Sequence, residues 1–534
     1  MSTPVDMWRP GMDITGGRLQ YMLERLNTSS TVNVETFGAV GDGVTNDTAA
    51  IQAALDYAHA SGGGLVQFTP GKTYAITTFL VAYDYTTIYA YGATIKSVGN
   101  SGILRNFLST ELFSAYGGHS HIQVLGGRWD GNAFNGTTGS VTAMTNVMGF
   151  VHAEDITIRD ATIENVSSSH GVEFNAINGG RILNCRFLGY EDNTVDASRD
   201  YCEAIQIDMA ATGSAAIGAF DNTPCKNILV DGCYFSSSTR CGPFGRAVGT
   251  HKLASGINYF GIQVVNNRIE GVALQGIRGY GWRRAVVANN VISGTGAEGI
   301  LMDIPDPTAA GYTPSSFDLT IQGNTVTGAL TNAGIKVRGY SGANIAQISI
   351  TGNSVNGGGV GDAHGIHVEY CNSPVVNGNS LASIQATGIY NNQADSGTIT
   401  GNTIRSTSAN GINVNGSTGT VVSSNHVNGT STFHCIFVGS SNDFLISSNR
   451  VTNAAGAGIR LGAAATDGTV TGNRVVKGTS VNGITGDSTA TGCIVANNDL
   501  SGNGWLTATA ISMSAATTFS FGGGSTSPGF NRVS

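Results

Sequence analysis

Six segments of the chain share one pattern, in which a polar residue and a small residue precede two aliphatic residues that alternate with polar ones. The segments begin at His170, Glu203, Arg246, Gln275, Glu298 and His364. Side chains alternate between the two faces of a strand, so the aliphatic positions predict an interior row and the polar positions an outward row. The predicted interior row contains Val172, Ile205, Val248 and Ile277. Stacked strands would turn the outward positions into columns along one face, which suits an elongated groove for a chain-like ligand.

A second motif, aliphatic–x–x–Asn–x–aliphatic, interleaves with the first. It places asparagines at Asn184, Asn267, Asn290, Asn324, Asn353, Asn379, Asn402, Asn425, Asn449, Asn473 and Asn498. The Gly-Ile pairs of the first motif recur at related intervals, with Gly276 and Gly299 23 residues apart and Gly458 and Gly483 25 apart. Self-similarity at such a period indicates a solenoid, a propeller or a linear array.

Strand and turn residues fill each repeat. Short runs of Val, Ile and Thr are bounded by Gly, Asn, Ser and Asp, and the chain has 76 Gly but only 10 Pro. A propeller blade needs about 40 residues, whereas a coil of three short strands needs about 22–25. The prediction is therefore an all-β fold, a parallel β-helix, in which Asn at one fixed turn forms a ladder between coils.

Composition and charge narrow the function. Charged residues are 12 % of the chain and the net charge is −8, which argues against nucleic-acid and anionic-membrane partners. No run approaches 18 apolar residues, and the first ten residues do not resemble a signal peptide. The eight cysteines lack metal-binding spacing, so no metal or cofactor is predicted. Buried free thiols are favoured, and a bridge from Cys225 to Cys233 or Cys241 stays open.

The chain divides into three parts. Residues 1–31 contain a predicted amphipathic helix with Leu19, Met22, Leu23 and Leu26 on one face, which suggests a segment for attachment or trimerisation. Residues 32–500 form the predicted β-helix, and its insertions make 150–310 the loop-rich, catalytic part. Residues 501–534 are predicted to be a C-terminal cap or tail.

A short helix is predicted to cover the open end of the first coil. It spans residues 48–59, follows the N-cap candidates Asn46 and Asp47, and ends before the triple glycine 62–64. The expected apolar stripe comprises Ile51, Ala54, Leu55 and Ala58.

The segment from Phe37 to Ala54, FGAVGDGVTNDTAAIQAA, resembles the entry motif of the pectate-lyase-like β-helix superfamily. That superfamily includes polysaccharide lyases, glycoside hydrolases, alginate epimerases and bacteriophage tailspikes. The resemblance implies a right-handed β-helix, but it does not specify an activity. The helical arm and the Gly/Ser-rich tail further resemble phage tailspikes. This implies a homotrimer in a virion, attached to the phage tail by its N-terminus and acting on a bacterial surface glycan.

Three carboxylates are the candidate catalytic residues. Glu173 and Asp208 are expected to face outward one coil apart, with Glu203 at the bend before its strand. Their Cα atoms would lie about 8 Å apart, within the range of inverting glycosidases once side-chain reach is allowed. Glu203 with Asp208 is the other candidate pair. Glu173 has an alternative role as a solvated group, and Asp208 has one as a turn cap or a structural partner of His251.

The candidate substrate-binding residues surround this position or continue the groove. They are His170, Gln206, Asp221, His251, Arg278, Tyr280, Trp282, Glu298 and Asp303. Asp221 is expected to close one side of the cleft, whereas Tyr280 and Trp282 suit either sugar stacking or a trimer contact. Residues further along the same face are assigned to the surface, namely Lys336, Arg338, His364, His367 and Glu369.

Three functions remain open from the sequence. Hydrolysis of a bacterial surface or capsular glycan by a carboxylate pair comes first. β-Elimination comes second and requires a base together with a group that neutralises a uronate, for which Arg278, His251, Tyr280 or Lys336 could serve. The third is a non-catalytic protein that binds a receptor or builds the tail.

Overall fold

The computed structural model describes residues 30–212, 218–307, 317–328, 331–357, 363–479, 482–501, 510–513, 518–520 and 531–532. Within these ranges the chain winds through successive coils of short strands, and each strand pairs in parallel with the equivalent strand of the next coil. The result is the predicted right-handed parallel β-helix. Its three faces are defined by the strands given below.

The first face comprises Leu80–Val81, Leu104–Arg105, the first halves of Met148–Arg159 and Val172–Leu183, Glu203–Asp208, Arg246–Gly249, Ile277–Tyr280, Ile300–Asp303, Ile335–Arg338, Ile366–Glu369, Ile389–Asn392, Ile412–Asn415, Ile436–Gly439, Ile459–Leu461, Ile484–Gly486 and Ile511–Met513.

The second face comprises Ser30–Asn33, Gly64–Gln67, Thr86–Tyr89, Ile122–Leu125, the second halves of the two long strands, Lys226–Asp231, Tyr259–Val265, Trp282–Arg283, Ala285–Ala288, Leu319–Gln322, Ile348–Thr351, Val375–Asn377, Thr398–Thr400, Val421–Ser423, Leu445–Ser447, Thr469–Thr471, Cys493–Ala496 and Thr518–Ser520. A separate pair joins Ile345–Ala346 to Cys371–Asn372.

The third face comprises Asp42–Asn46, Thr73–Ile76, Thr94–Ser97, Arg128–Asp130, Thr162–Ser167, Arg186–Glu191, Tyr234–Ser236, Arg268–Glu270, Val291–Ser293, Thr325–Thr327, Ser354–Asn356, Ser380–Ile384, Thr403–Thr407, His426–Thr430, Arg450–Thr452 and Arg474–Val476.

The predicted interior row is confirmed. Val172 pairs with Ile205, Ile205 with Val248, and Val248 with Ile277. All four side chains are fully buried in one continuous aliphatic core. Because this row has the predicted register, the outward positions next to it are also stacked.

The asparagine motif forms a buried ladder at one turn. Asn402, for example, donates its Nδ2 to Asn425 Oδ1 and to the carbonyl of Val376, both at 2.9 Å. Its own Oδ1 accepts from the backbone N–H and the Nδ2 of Asn379. Successive rungs from residues 379 to 498 are 23 to 25 residues apart, as the repeats predict.

An α-helix, Thr48–Ala60, follows the 3-10 helix Val34–Phe37 and packs against the first coil. It buries the predicted stripe of Ile51, Ala54, Leu55 and Ala58. Asn46 accepts the Thr48 N–H at 3.1 Å. Asp47 makes no cap bond to the helix, because its carboxylate accepts from the backbone N–H groups of Val40 and Gly41 instead.

The structure describes more of the C-terminal tail than of the N-terminal arm. The N-terminal arm lies outside the described residues, apart from the first residues of the Ser30–Asn33 strand. Beyond residue 500, Ile511–Met513 and Thr518–Ser520 add strands to two faces, and Asn531 extends the asparagine ladder from Asn498. These described residues continue the coils beyond residue 500.

All eight cysteines are buried and free, as favoured from the sequence. Among the described residues, none of the helices has the length and apolar character needed to cross a bilayer.

Candidate functional site

One outward column on the first face carries most of the candidate chemistry. Arg105 pairs with Gly149, Gly149 with Glu173, and Glu173 with Gln206. Gln206 pairs with Gly249, which pairs with Arg278. The predicted order from Glu173 to Arg278 is confirmed, and the column also extends two coils upstream to Arg105.

A cleft of about 370 Å³ opens around this column and is called the Glu173 cleft below. It lies where loops between the coils rise beside the strands, as expected for the loop-rich part. Its lining comprises Phe79, Arg105, Phe107, Met144, Thr145, Asn146, Gly149, Val151, Ser169, His170, Glu173, Arg199, Tyr201, Gln206, His251 and Lys252.

Glu173 is the only carboxylate in this lining. Its Oε1 accepts from Asn175 Nδ2 at 2.7 Å, and its Oε2 accepts from Asn146 Nδ2. Burial raises the pKa of Glu173, and the nearby charge of Asp208 adds to the shift. A carboxylate with a raised pKa is a stronger base than an exposed one, and it holds a proton to higher pH.

His251 lies between two buried carboxylates. Its Nδ1 is 3.4 Å from Glu203 Oε2, and its Nε2 is 3.5 Å from Asp208 Oδ2. Burial opposes a charge on this ring, but Asp208 and Glu203 outweigh it and raise the pKa of His251. The imidazole is therefore held in an orientation that favours its protonated form.

Glu203 is completely buried beneath the cleft and does not line it. Arg246 Nη1 lies 2.9 Å from its Oε1, and His170 Nδ1 lies 3.5 Å from its Oε2. Burial disfavours its charge, but His251, His170 and Arg246 together lower the pKa of Glu203 to about 2. Glu203 is therefore placed to hold His251 in position from beneath the cleft, and the catalytic role predicted for it stays a prediction.

Asp208 also lies beneath the cleft and outside its lining, and its predicted catalytic role likewise stays a prediction. Its side chain is also fully buried, and its Oδ1 accepts the backbone N–H groups of His251 and Lys252, both at 3.1 Å. Burial raises the pKa of Asp208. These bonds fix the start of the loop that carries His251, so Asp208 is a positioning residue.

Three cations belong to the lining of the cleft, namely Arg105, Arg199 and Lys252. The Arg105 guanidinium lies over the rings of Phe79 and Phe107, at 5.0 and 4.9 Å, and its Nε has no hydrogen-bond partner among the described residues. Arg199 donates from Nη1 to the Tyr201 hydroxyl at 3.0 Å. Lys252 adds a third cation. The lining therefore favours an anionic ligand.

Sequence reasoning missed these three cations and Tyr201. Arg105 lies in a coil that lacks the repeated motif, and the others lie in or beside the long insertions. The loop-rich character predicted for residues 150–310 was the available signal, because that part contains Arg199 and Tyr201.

The other predicted binding residues fall into two groups. His170 and Gln206 line the Glu173 cleft, with 2 % of each residue exposed. Burial lowers the pKa of His170 to about 3, so this ring is neutral. Arg278, Tyr280 and Asp303 lie further along the same face, with Arg278 Nη2 3.4 Å from Asp303 Oδ2 and its guanidinium over the Tyr280 ring.

Three predicted residues are used elsewhere. Trp282 is buried, with its indole N–H donating to Thr250 Oγ1 at 2.8 Å, so it is unavailable for sugar stacking. Glu298 is buried and accepts from Gln275 Nε2 at 3.0 Å. Asp221 accepts the Ala115 N–H at 2.7 Å and joins two loops, but it does not line the Glu173 cleft.

The described residues include no group of three or more His, Cys, Asp and Glu side chains suited to a metal ion.

Two family models match the chain. "Right handed beta helix region" covers residues 364–523, and "Rhamnogalacturonase A/epimerase, pectate lyase-like" covers residues 31–114. The second match includes the segment from Phe37 to Ala54. These matches confirm the resemblance to the pectate-lyase-like right-handed β-helix superfamily.

Three curated relatives share parts of the sequence. Plasmin and fibronectin-binding protein A of Streptococcus pneumoniae is 26 % identical over 280 residues, which is 49 % of this chain and 39 % of that protein. Mannuronan C5-epimerase AlgE5 of Azotobacter vinelandii is 38 % identical over 150 residues, 25 % of this chain and 14 % of that protein. Depolymerase 1, capsule KN3-specific, of Klebsiella phage KN3-1 is 43 % identical over 68 residues, which is 13 % of this chain and 9 % of that protein. The chain thus spans well under half the length of these relatives.

Two solved structures share the fold. The Streptococcus pneumoniae surface protein and adhesin PfbA aligns with a TM-score of 0.55 at 20 % identity, covering 81 % of this chain and 100 % of that one. A double mutant of the tailspike protein of E. coli bacteriophage HK620, in complex with a pentasaccharide, aligns with a TM-score of 0.55 at 13 % identity. The alignment covers 89 % of this chain and 81 % of that one. At these identities the likeness concerns the fold alone.

Proposed function

We propose that this protein binds an acidic polysaccharide in the Glu173 cleft and cleaves it by β-elimination beside a uronate. The observation that carries the proposal is the composition of the lining, in which Arg105, Arg199, Lys252 and His251 face a single carboxylate, Glu173. Hydrolysis by a carboxylate pair, which the sequence favours, loses support because Asp208 and Glu203 are buried beneath the cleft.

The chemistry follows from the charges. A cation beside the uronate carboxylate stabilises the negative charge that develops when the C5 proton leaves. Glu173 accepts this proton as general base. The C5–H electron pair forms the C4–C5 double bond, the C4–O bond breaks, and the leaving oxygen takes a proton from His251 Nε2, which lies 3.5 Å from Asp208 Oδ2, beyond a normal hydrogen bond. Because Glu203 and Asp208 favour the protonated imidazole, His251 is suited to this role as general acid.

Hydrolysis is the second candidate. Burial raises the pKa of Glu173, so this residue could instead protonate a glycosidic oxygen as general acid. Asp208 would then have to act on a water molecule from its buried position.

The names of the relatives agree with a glycan ligand, since they include a mannuronan epimerase and a capsule-specific depolymerase. We extend the proposal to a phage-tail protein that acts outside the cell on a bacterial surface or capsular glycan as a homotrimer, with residues 1–31 as the attachment segment. Light scattering of the full chain tests the trimer, and a deletion of residues 1–31 that leaves glycan binding intact would support the attachment role.

Product analysis tests the reaction. The full chain is incubated with uronate-containing and neutral bacterial polysaccharides, while reducing ends and ultraviolet absorbance are followed together. β-Elimination predicts that both signals rise in step on uronate polymers, because each cleavage creates one reducing end and one unsaturated sugar. Reducing ends without absorbance would support hydrolysis. Glycan binding with neither signal would contradict both reactions and indicate a non-catalytic receptor-binding protein.

A further inference from the structure

A second cleft lies further along the first face, among residues that the sequence assigned to the surface. The outward column continues from Leu301 to Lys336, then to His367, Tyr390 and Asn413, each paired with the next. A cavity of about 530 Å³ opens over these rungs and is called the Tyr390 cleft below. Its lining comprises Asn332, Ala333, Lys336, His364, His367, Glu369, Tyr390, Asn392 and Asn413.

Aromatic rings form one wall of the Tyr390 cleft. The rings of His367 and Tyr390 are stacked, with centroids 4.8 Å apart and planes at 23°, and His364 meets His367 edge-on at 5.1 Å. Such a wall offers apolar surface to the C–H groups of a pyranose ring, while its rim stays polar.

Polar atoms in this cleft still lack partners. His367 is 8 % exposed, and its Nε2 makes no hydrogen bond within the described residues, since Glu369 Oε2 lies 4.0 Å away. Burial, with Lys336 and His364 adding to it, lowers the pKa of His367 to about 2, so the ring is neutral. Asn413 Oδ1 is likewise without a described partner. Buried polar atoms are normally paired, so these two are suited to ligand hydroxyl groups.

The Tyr390 cleft has one cation, Lys336, and one carboxylate, Glu369, in its lining, and the two form an ion pair. Lys336 Nζ lies 3.3 Å from Glu369 Oε2, and Asn392 Nδ2 donates to Glu369 Oε1 at 3.2 Å. The nearby Arg338 is paired with Asp303 at 3.0 Å. In contrast to the Glu173 cleft, this lining has no excess of cations, and so favours a ligand without charge.

We infer that the Tyr390 cleft is a second saccharide-binding site, specific for a neutral hexose unit. It shares the outward column with the Glu173 cleft, and six rungs separate Glu173 from His367, about 29 Å at the usual spacing between parallel strands. The two clefts share no lining residue, so the inference about the Tyr390 cleft does not depend on catalysis in the Glu173 cleft.

Calorimetric titration of the full chain tests the inference. The titration uses the Glu173→Gln background, which removes the proposed turnover, with maltohexaose, cellohexaose and galacto-oligosaccharides as neutral probes and oligogalacturonate as the acidic probe. A neutral probe is expected to bind, and Tyr390→Ala to weaken that binding at least about tenfold through loss of the aromatic wall. Phe437→Ala is the matched control, since Phe437 follows Asn413 in the same column outside the cleft.

A second variant, His367→Phe, separates a loss of binding from a loss of folding. His367→Phe keeps a ring in the stack but removes Nε2, and it is expected to weaken the neutral probe severalfold while thermal unfolding stays unchanged. Arg105→Ala in the Glu173 cleft is expected to leave the neutral probe unaffected and to weaken oligogalacturonate. The inference is overturned if no neutral probe binds, if Tyr390→Ala and His367→Phe bind it normally, or if Arg105→Ala abolishes it. If the Glu173→Gln protein binds a neutral probe but no oligogalacturonate, the result counts against the proposed function of the Glu173 cleft only.

Discussion

The asparagine ladder and the outward column of the first face are both rows of polar side chains that repeat with the coils, yet their hydrogen bonding differs. In the ladder, Asn402 donates to Asn425 and Val376 and accepts from Asn379. On the first face, several buried polar atoms have no partner among the described residues, namely Arg105 Nε, Asn175 Oδ1, Gln206 Oε1, Arg278 Nε, His367 Nε2 and Asn413 Oδ1. Fully paired rows stabilise a fold, whereas unpaired polar atoms indicate where a ligand is to bind.

The two rows also differ in the loops around them. The ladder is regular over residues 379 to 498, whereas the Glu173 cleft is bordered by the segments 192–202 and 250–258, which leave the coil between strands. The regular part of the scaffold fixes the register and places Arg105 and Glu173, and the irregular part adds Arg199, Tyr201, His251 and Lys252 to the cleft.

The largest predicted effect comes from Glu173→Gln. If Glu173 is the general base, this variant should lower kcat by about 10²–10⁴-fold, because an amide cannot accept the proton. Stability should not fall, since burial already disfavours the charge of Glu173. Initial rates on the best uronate polymer and thermal unfolding of the same preparations check both parts.

The matched control is Glu154→Gln, on the paired long strand Met148–Arg159, where Glu154 is exposed and outside the lining. It should retain the rate of the wild type. Equal losses in both variants, or full activity of Glu173→Gln, would remove Glu173 from the reaction.

The second largest effect concerns Glu203, which makes the free energy of unfolding depend on pH. The pKa of Glu203 is about 2 in the folded chain, against an ordinary value of 4.5. A lowered pKa contributes stability above 4.5 that is lost as pH falls through about 2. The difference in free energy of unfolding between wild type and Glu203→Gln should narrow by on the order of 3 kcal/mol over that interval. Urea unfolding at stepped pH measures it, and a constant difference would mean that Glu203 is not held ionised.

Periodicity explains which parts of the fold and site could be predicted. The interior row, the order of the outward column and the apolar stripe of the capping helix depend on local alternation, so they follow from the sequence. Burial of Glu203 and Asp208 does not follow, because it depends on Arg246, His251 and the backbone of the loop after Gly249. The cations of the cleft lie outside the repeats, so no periodic signal marks Arg105 or Lys252.

A third prediction compares two asparagines, one from each row. Asn402→Ala should destabilise the chain by about 2–3 kcal/mol, because it leaves the Val376 carbonyl, the backbone N–H of Asn379 and one N–H of the Asn379 side-chain amide buried and unpaired. Asn413→Ala, on the first face, should lower the free energy of unfolding by less than about 0.5 kcal/mol, because its Oδ1 has no described partner. Unfolding of the two variants side by side measures the contrast. Equal costs would contradict the distinction between paired and unpaired rows.

The smallest effect separates two glycines of the outward column. A Cβ on Gly149 would meet only Asn146 Nδ2, at 3.8 Å, whereas one on Gly249 would lie 2.8 Å from Glu203 Cγ. Gly149→Met should therefore leave stability nearly unchanged while its side chain fills the Glu173 cleft and raises KM about tenfold, equivalent to about 1.4 kcal/mol of binding. Gly249→Ala should instead destabilise the chain by about 1–3 kcal/mol, because the buried Glu203 cannot move away from its ion pairs without cost. Substrate titrations and thermal unfolding of both variants measure the two effects. A Gly149→Met protein with normal KM would place the ligand elsewhere on this face, because Asn146 Nδ2 is the one described atom, apart from the chain neighbours, within 4 Å of a Cβ at Gly149.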